Sequence, residues 1–151
     1  MDRTKDAAAL IGRTLLALMF VLSALGKMGA FADTTGYMAS ALWPGADPWL
    51  ELLLILTIVI ELGGGTAIIV GWRTRSAAAM VFLFTATVTL VFHRFWEVAP
   101  AEAVMQQMMF MKNLSVMGGL LLLFAFGPGE YALDDKYPHP STPVAASPAG
   151  C

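Results

Sequence analysis

One stretch decides the fold of this chain: residues 49–71 read WLELLLILTIVIELGGGTAIIVG. A helix of this length is about 34 Å long, enough to cross the roughly 30 Å hydrocarbon core of a bilayer. Apolar residues occupy every helical face of the segment, whereas a helix of a soluble bundle keeps one face polar. The stretch therefore predicts a transmembrane helix.

Three further segments share this character. The four predicted spans are Ala7–Gly29, Trp49–Gly71, Ser76–Trp96 and Ala103–Phe126. The composition agrees, because 58% of the 151 residues are hydrophobic and 13% are charged, about half the charged share of a soluble domain. The mean hydropathy is +0.70. We therefore predict an all-α, four-helix transmembrane bundle rather than an amphipathic soluble bundle.

The connection between the first two spans, residues 30–48, predicts a short interfacial helix. Asp33 and Thr34 can cap its start, and the Pro44-Gly45 turn ends it. We expect this helix to lie in the membrane interface or over the mouth of the bundle. Its apolar stripe comprises Tyr37, Met38, Ala41 and Leu42.

Small residues at helical spacing predict where the spans pack most closely. Gly63, Ala67 and Gly71 repeat every four residues along the second span, and Gly118 and Gly119 lie in the fourth. Such ridges let helix backbones approach each other. These glycines are therefore interpreted as structural, since no strand–turn–helix context for a phosphate loop surrounds residues 63–65.

Basic residues collect on one side of the predicted spans. Lys and Arg in short loops stay on the cytoplasmic side, which makes residues 1–6 a cytoplasmic N-terminus and residues 131–151, rich in Pro, Ser and Ala, a disordered cytoplasmic tail. The membrane domain then covers residues 7–130. The basic residues on this side are Arg3, Lys5, Arg13, Arg73, Arg75 and Lys136.

A secretory signal peptide is the alternative for the first segment. Lys5 and Arg13 precede an apolar stretch, and Ala30-Phe31-Ala32 resembles a cleavage site. Cleavage would leave three spans with the basic asymmetry reversed. The uncleaved protein with four spans is therefore the favoured interpretation.

Several classes of function are disfavoured by composition. The net charge of −2 offers no basic patch for a nucleic-acid backbone. Cys151 is the only cysteine, so no disulfide can form within the chain. Only His93 and His139 could act as imidazole ligands, and the methionines of residues 105–111 are interpreted as packing, so no metal site is predicted.

Glu61 is the residue that most demands an explanation. It lies about 18 Å into its span, near the membrane midplane. A charged side chain at a helix centre costs about 2.5–3.5 kcal/mol on insertion scales. Glu61 must therefore be either protonated or paired with a cation from a neighbouring helix.

Other polar residues approach Glu61 from the outer side, and together they predict a pocket in the outer half of the bundle. Glu61 and His93 are its catalytic candidates, and the ligand-binding candidates are Arg13, Lys27, Lys112 and Asn113. Structural interpretations stay open for each residue: snorkelling for the long cations, an interhelical pair for Glu61, an interfacial position for His93 and an interhelical hydrogen bond for Asn113.

Six short motifs resemble the DoxX family in order and spacing over about residues 8–130. They are Leu10-Ile11-Gly12-Arg13, Ser23-Ala24-Leu25-Gly26-Lys27-Met28, Glu61-Leu62-Gly63-Gly64-Gly65, Val70-Gly71-Trp72-Arg73-Thr74-Arg75, Phe92-His93 and Lys112-Asn113-Leu114. The resemblance implies a four-helix bacterial inner-membrane protein, in a family that includes the DoxD-type subunit of thiosulfate:quinone oxidoreductase and proteins linked to oxidative-stress and quinone or catechol responses. It also implies polar family positions at Arg13, Lys27, Glu61, His93 and Asn113.

The leading hypothesis is a redox-associated membrane subunit whose outer pocket holds a quinone or a similar aromatic headgroup. In it Lys27 and His93 hydrogen-bond the carbonyls and Glu61 handles the proton. One alternative is a non-enzymatic scaffold that recruits soluble redox or stress enzymes, and another is a small transporter or proton pathway. The expected partners are the lipid bilayer, a quinone, soluble redox proteins and further copies of the chain.

Overall fold

A computed structural model describes residues 3–42 and 48–136, without the side chains of residues 135 and 136. Its four long helices are each long and apolar enough to cross a membrane. A short helix follows the first of them, so the predicted all-α architecture is confirmed. The helices are α1 (Arg3–Gly29), α2 (Phe31–Leu42), α3 (Pro48–Val70), α4 (Thr74–Phe92), α5 (Pro100–Phe126) and α6 (Leu133–Lys136).

The helix ends differ from the predicted spans because hydropathy marks the hydrocarbon layer and not the backbone. Helix α1 begins at Arg3, since its polar first turn continues the helix beyond the apolar stretch. Helix α5 begins at Pro100, where the fixed φ of proline suits the first helical turn. Helix α4 ends at Phe92 instead of Trp96.

The interfacial helix also starts differently from the prediction. Helix α2 begins at Phe31, so Asp33 and Thr34 lie inside it and the predicted cap is wrong. The chain passes from α1 to α2 almost without interruption, because Thr34 N donates to Ala30 O at 2.9 Å. The predicted Pro44-Gly45 turn lies outside the described residues.

The bundle has two apolar clusters, one toward each end. We call the end that holds Arg13, Gly71 and Gly127 the terminal end, and the end covered by α2 the distal end. The larger cluster joins α1, α3, α4 and α5 around Phe20, Ile68, Val81 and Leu120. The smaller one packs Met38 of α2 onto Leu50 and Leu54 of α3.

Close helix packing in α3 uses different glycines from those predicted. A Cβ atom on Gly64 would lie 2.4 Å from Val81 Cγ2, and one on Gly65 would lie 3.2 Å from Ala17 O. A Cβ atom on Gly63 would meet nothing within 4 Å. The predicted ridge through Gly63 is therefore wrong, because the rotation of α3 turns the next two residues toward α4 and α1.

Of the two predicted packing glycines in α5, Gly118 and Gly119, only Gly119 lies against another helix. A Cβ atom on Gly119 would lie 3.1 Å from Leu16 Cδ1, whereas one on Gly118 would meet nothing within 4 Å.

Gly71 has a φ of +74° and ends α3, and a Cβ atom there would lie 2.5 Å from Ala132 Cβ. Gly71 therefore serves a turn and a close contact that a larger side chain would strain.

Arg13 ties the segment after α5 to the terminal end of α1. Its Nη1 atom donates to Pro128 O at 2.8 Å, and Nη2 donates to Tyr131 O. Arg13 is only 3% exposed. The guanidinium is thus stabilised by hydrogen bonds to backbone carbonyls and does not extend to lipid headgroups.

Asp134 caps the start of α4 from this same segment. Its carboxylate accepts hydrogen bonds from the backbone N–H groups of Arg73 at 2.6 Å and Thr74 at 2.7 Å. Its own N–H donates to Gly71 O at 2.8 Å. Helix α4 needs this acceptor because Arg73, the N-cap residue just before the helix, makes no side-chain cap hydrogen bond.

The predicted disordered tail, residues 131–151, therefore starts too early. Ala132 is buried and Asp134 is hydrogen-bonded, so this stretch belongs to the folded bundle. The signal missed in the sequence is an acidic residue placed to cap the start of a distant helix. The rest of the predicted tail, from residue 137, lies outside the described residues.

We expect Gly64→Ala to destabilise the protein by about 1–3 kcal/mol, because the added methyl group would overlap the branched Val81 side chain, whose rotation is restricted. Gly63→Ala is the matched control on the same helix. It should leave stability unchanged or raise it by about 0.5–1 kcal/mol. Thermal unfolding in detergent measures both, and equal midpoints would contradict the assigned packing face.

Asp134→Ala should cost about 0.5–2 kcal/mol, since the first N–H groups of α4 lose their acceptor. Amide hydrogen exchange at Arg73 and Thr74 should accelerate. Glu130→Ala removes an exposed carboxylate from this segment and should change neither quantity. Unaltered exchange in Asp134→Ala would refute the capping role.

Candidate functional site

A cavity of about 280 Å³ lies in the distal half of the bundle, where α1 to α5 all contribute to its wall. Its volume is close to the lower limit of small-molecule pockets. The polar lining residues are Ser23, Lys27, Thr34, Thr57, Glu61, Thr85, His93, Lys112 and Asn113. The apolar and aromatic ones are Met19, Phe20, Tyr37, Met38, Phe84, Val88 and Phe92.

Glu61 is paired with Lys27 across the α1–α3 interface. Lys27 Nζ lies 2.7 Å from Glu61 Oε2 and 2.8 Å from Oε1. The Glu61 side chain is 8% exposed and that of Lys27 24%. Since Glu61 lies about 15 Å from Gly71 along α3, near the middle of the span, the pair supplies the counter-charge that this depth requires.

Ser23 closes this pair into a small network. Lys27 Nζ donates to Ser23 Oγ at 2.6 Å, and Ser23 Oγ donates to Glu61 Oε1 at 3.3 Å. An ammonium group has three N–H donors, and here all three have acceptors. Ser23 was not predicted as a site residue, although its position one helical turn before Lys27 places both on the same face of α1.

Asn113 is held by a second network between α4 and α5. Its Nδ2 atom donates to Thr89 Oγ1 at 2.9 Å, and Thr89 Oγ1 donates to Thr85 O at 2.6 Å. Because the single hydroxyl proton of Thr89 is used, Asn113 must present its NH₂ group there. Among the described residues, none donates to Asn113 Oδ1, which is an acceptor available at the cavity wall.

His93 stands at the distal rim, where α4 ends. Its backbone N–H donates to Thr89 O at 3.1 Å, and its Nδ1 atom lies 2.9 Å from Gln106 Oε1. A carbonyl oxygen can only accept, so Nδ1 carries a proton in this contact, and Nε2 is the acceptor in the tautomer with the proton on Nδ1. Gln106 was not predicted as a site residue, because nothing in the sequence shows which residue of α5 faces His93.

Lys112 is the other cation of the cavity wall. Its Nζ atom contacts Met109 Sδ at 3.4 Å, and in the described part of the chain it pairs with no carboxylate. Arg94, which could have joined the pocket, instead pairs at the surface with Glu97 at 2.8 Å. Lys27 and Arg94 thus each have a carboxylate partner, whereas Lys112 has none among the described residues.

The structure brings five of the six predicted site residues to one cavity. They are Lys27, Glu61, His93, Lys112 and Asn113. Arg13 is separated from them, because it lies at the terminal end and binds the carbonyls that follow α5. Within residues 3–42 and 48–136, no three His, Cys, Asp or Glu side chains come together as metal ligands.

Aromatic rings form part of the cavity wall. Tyr37 and Phe92 stack with their ring centres 6.0 Å apart and an angle of 28° between planes. Phe20 and Phe84 line the cavity as well. The site thus combines apolar surface with a few fixed polar groups, as small-molecule pockets do.

These features define an integral membrane protein with four spanning helices and a polar cavity inside the bundle. The sequence profile of the DoxX family matches residues 8–94. The chain belongs to the DoxX family, as its motifs predicted.

Relatives extend this likeness across nearly the whole chain. Inner membrane protein YqjF of Escherichia coli K12 is 37% identical over 89% of this chain and 95% of its own length. Inner membrane protein YphA of Escherichia coli K12 is 33% identical over 84% of this chain and 88% of its own length. A Surfeit locus protein 4 homolog of Schizosaccharomyces pombe is 28% identical over 84% of this chain, but only 36% of its own length. No solved structure matches the chain.

A double-mutant cycle with Lys27→Met and Glu61→Gln tests the ion pair. Each single variant leaves one polar partner without its counterpart in the bundle, so the two changes should couple by about 0.5–3 kcal/mol. Unfolding in detergent provides the measurement. The exposed Arg94–Glu97 pair, changed to Met and Gln, is the control and should couple by less than about 1 kcal/mol. Additive effects at Lys27 and Glu61 would contradict the pairing.

Proposed function

We propose that this protein is a redox-associated subunit of the bacterial inner membrane whose distal cavity binds a quinone or a similar small aromatic headgroup. The observation that carries the proposal is the Lys27–Glu61 pair, which lies at mid-depth in the wall of a cavity lined with aromatic side chains. Ionisable groups inside a membrane bundle are characteristic of ligand and proton handling. A quinone headgroup is apolar enough to enter from the bilayer and has two carbonyl oxygens for polar contacts.

The contacts assign different tasks to the polar residues. Lys27 already uses its three N–H donors, so a quinone carbonyl could take one only by displacing Ser23 or Glu61. Asn113 has a second N–H to offer such a carbonyl. His93 Nε2, an acceptor in this tautomer, suits the hydroxyl group of a reduced quinol. The sequence hypothesis is thereby refined, because Asn113 replaces Lys27 as the primary carbonyl donor.

Glu61 is the proposed proton-handling group. Quinol oxidation releases two electrons and two protons, and a carboxylate held beside an ammonium group can accept one of these protons when a ligand displaces the lysine. In the reverse direction, the protonated Glu61 would return that proton to the reduced quinone. No described side chain is a redox centre. Electrons would come from a bound cofactor, a substrate or a partner protein, and we propose a partner oxidoreductase, with this chain as its quinone-binding subunit.

The orientation proposed for the bundle places both termini in the cytoplasm. Basic residues Arg3, Lys5, Arg73 and Arg75 collect at the terminal end, as the positive-inside rule requires. The Escherichia coli relatives named above are both inner membrane proteins. The cavity would then open toward the outer half of the membrane.

We expect Glu61→Gln to abolish quinone binding or turnover in the purified protein, because the amide neither holds the Lys27 ammonium by charge nor exchanges a proton. Quenching of tryptophan fluorescence by added quinone measures binding, and circular dichroism checks that the helices are retained. The exposed Glu97→Gln variant is the matched control and should bind like the unaltered protein. Unchanged binding in Glu61→Gln would overturn the pocket assignment and favour the scaffold alternative.

A further inference from the structure

We infer that the distal cavity selects an anionic aromatic ligand, a weak acid such as a hydroxyquinone or a phenol in its ionised form, and that Lys112 binds its charge. The inference rests on the proposed ligand cavity and names the class of ligand within it. It follows from the balance of charges along the cavity wall, from the depth of Lys112 and from the shape of the apolar surface beside it.

The charges on the wall do not cancel. Two ammonium groups, those of Lys27 and Lys112, face one carboxylate, that of Glu61. Glu61 is engaged at 2.7 and 2.8 Å by Lys27 and receives a further hydrogen bond from Ser23. Lys112 therefore carries a positive charge that no carboxylate among the described residues balances.

The depth of Lys112 makes this charge expensive. It lies fourteen residues before Phe126, or about 21 Å from the terminal end of α5, and therefore within a hydrocarbon layer about 30 Å thick. Lys112 is exposed rather than buried among the helices, and an unpaired cation that faces hydrocarbon inside a span is unfavourable. Its contact at 3.4 Å is the Met109 thioether, a weak acceptor without charge. A ligand that brings a negative charge would recover part of this cost.

The surroundings restrict which anion fits. The cavity is about 280 Å³ and is lined on several sides by aromatic rings, so a small inorganic anion would leave most of this apolar surface without contact. Asn113, next to Lys112 in sequence, lines the cavity and is held by Thr89. A ring system with one ionised oxygen satisfies both parts: the ring fills the aromatic wall, and the oxygen reaches the ammonium group of Lys112.

Two ligands of nearly equal size separate charge from shape: 2-hydroxy-1,4-naphthoquinone, which is an anion at neutral pH, and 2-methoxy-1,4-naphthoquinone, which cannot ionise. Their affinities are measured by fluorescence quenching of the full chain in nanodiscs of zwitterionic lipid. The anion should bind at least about tenfold more tightly, as a charge-assisted hydrogen bond predicts. Lys112→Gln should remove this preference, so that the two compounds bind the variant within about twofold of each other. Lys5→Gln, the same change at an exposed position of the terminal end, should preserve the preference.

The other outcomes distinguish failure of the anion inference from failure of the proposed function. If both quinones bind the unaltered protein equally well, or if Lys112→Gln keeps the preference, the anion inference is overturned and the proposed quinone cavity stands. If neither quinone binds, the proposed function fails together with the inference. Nanodiscs containing anionic lipid test a competing source of charge: a preference that disappears there would assign Lys112 to lipid headgroups and overturn the inference.

Discussion

The low polarity of the membrane interior is the constraint on which the rest of this structure depends, and the Lys27–Glu61 pair is where it acts most directly. Water cannot solvate Glu61 at mid-depth, so its charge must be balanced by another helix. Lys27 does this at 2.7 Å, and the contact fixes the height of α1 against α3. Arg13 fastens the other end of α1, where it donates to Pro128 O at 2.8 Å. The first span is thus held at both ends by a cation that the bilayer would otherwise exclude.

Packing and chemistry are linked through the residues that follow Glu61. Gly64 and Gly65 let α3 approach Val81 of α4 and Ala17 of α1, which brings three helices together on the terminal side of the ion pair. On the distal side of this tight layer the helices carry larger side chains, and the cavity opens between them. The position of the cavity therefore follows from the change from glycine contacts to aromatic contacts along the bundle axis.

Much of the architecture could be predicted because it depends on properties that each segment carries by itself. The length and apolarity of residues 49–71 require a spanning helix whatever its neighbours are. Depth also follows from the sequence, since each residue advances a helix by about 1.5 Å, and this is why Lys27, Glu61 and Asn113 could be assigned to one pocket. Arg13 was also predicted to join the pocket, because it lies on nearly the same face of α1 as Lys27. Arg13 lies at the other end of the span, however, and takes no part in the cavity.

The sequence by itself determined the four spans, their alternating directions, the depth of each polar residue and the need for a counter-charge near Glu61. Tertiary structure alone decided which face of each helix meets which neighbour. Helix rotation selected Gly64 over Gly63, paired His93 with Gln106 at 2.9 Å and left Lys112 without a carboxylate partner among the described residues. The tertiary structure also brought Asp134 to the start of α4, where its carboxylate lies 2.6 Å from Arg73 N. The physical reason is that the depth of a residue follows from counting residues along its own helix. The rotation of each helix about its axis is set instead by the packing of all helices together.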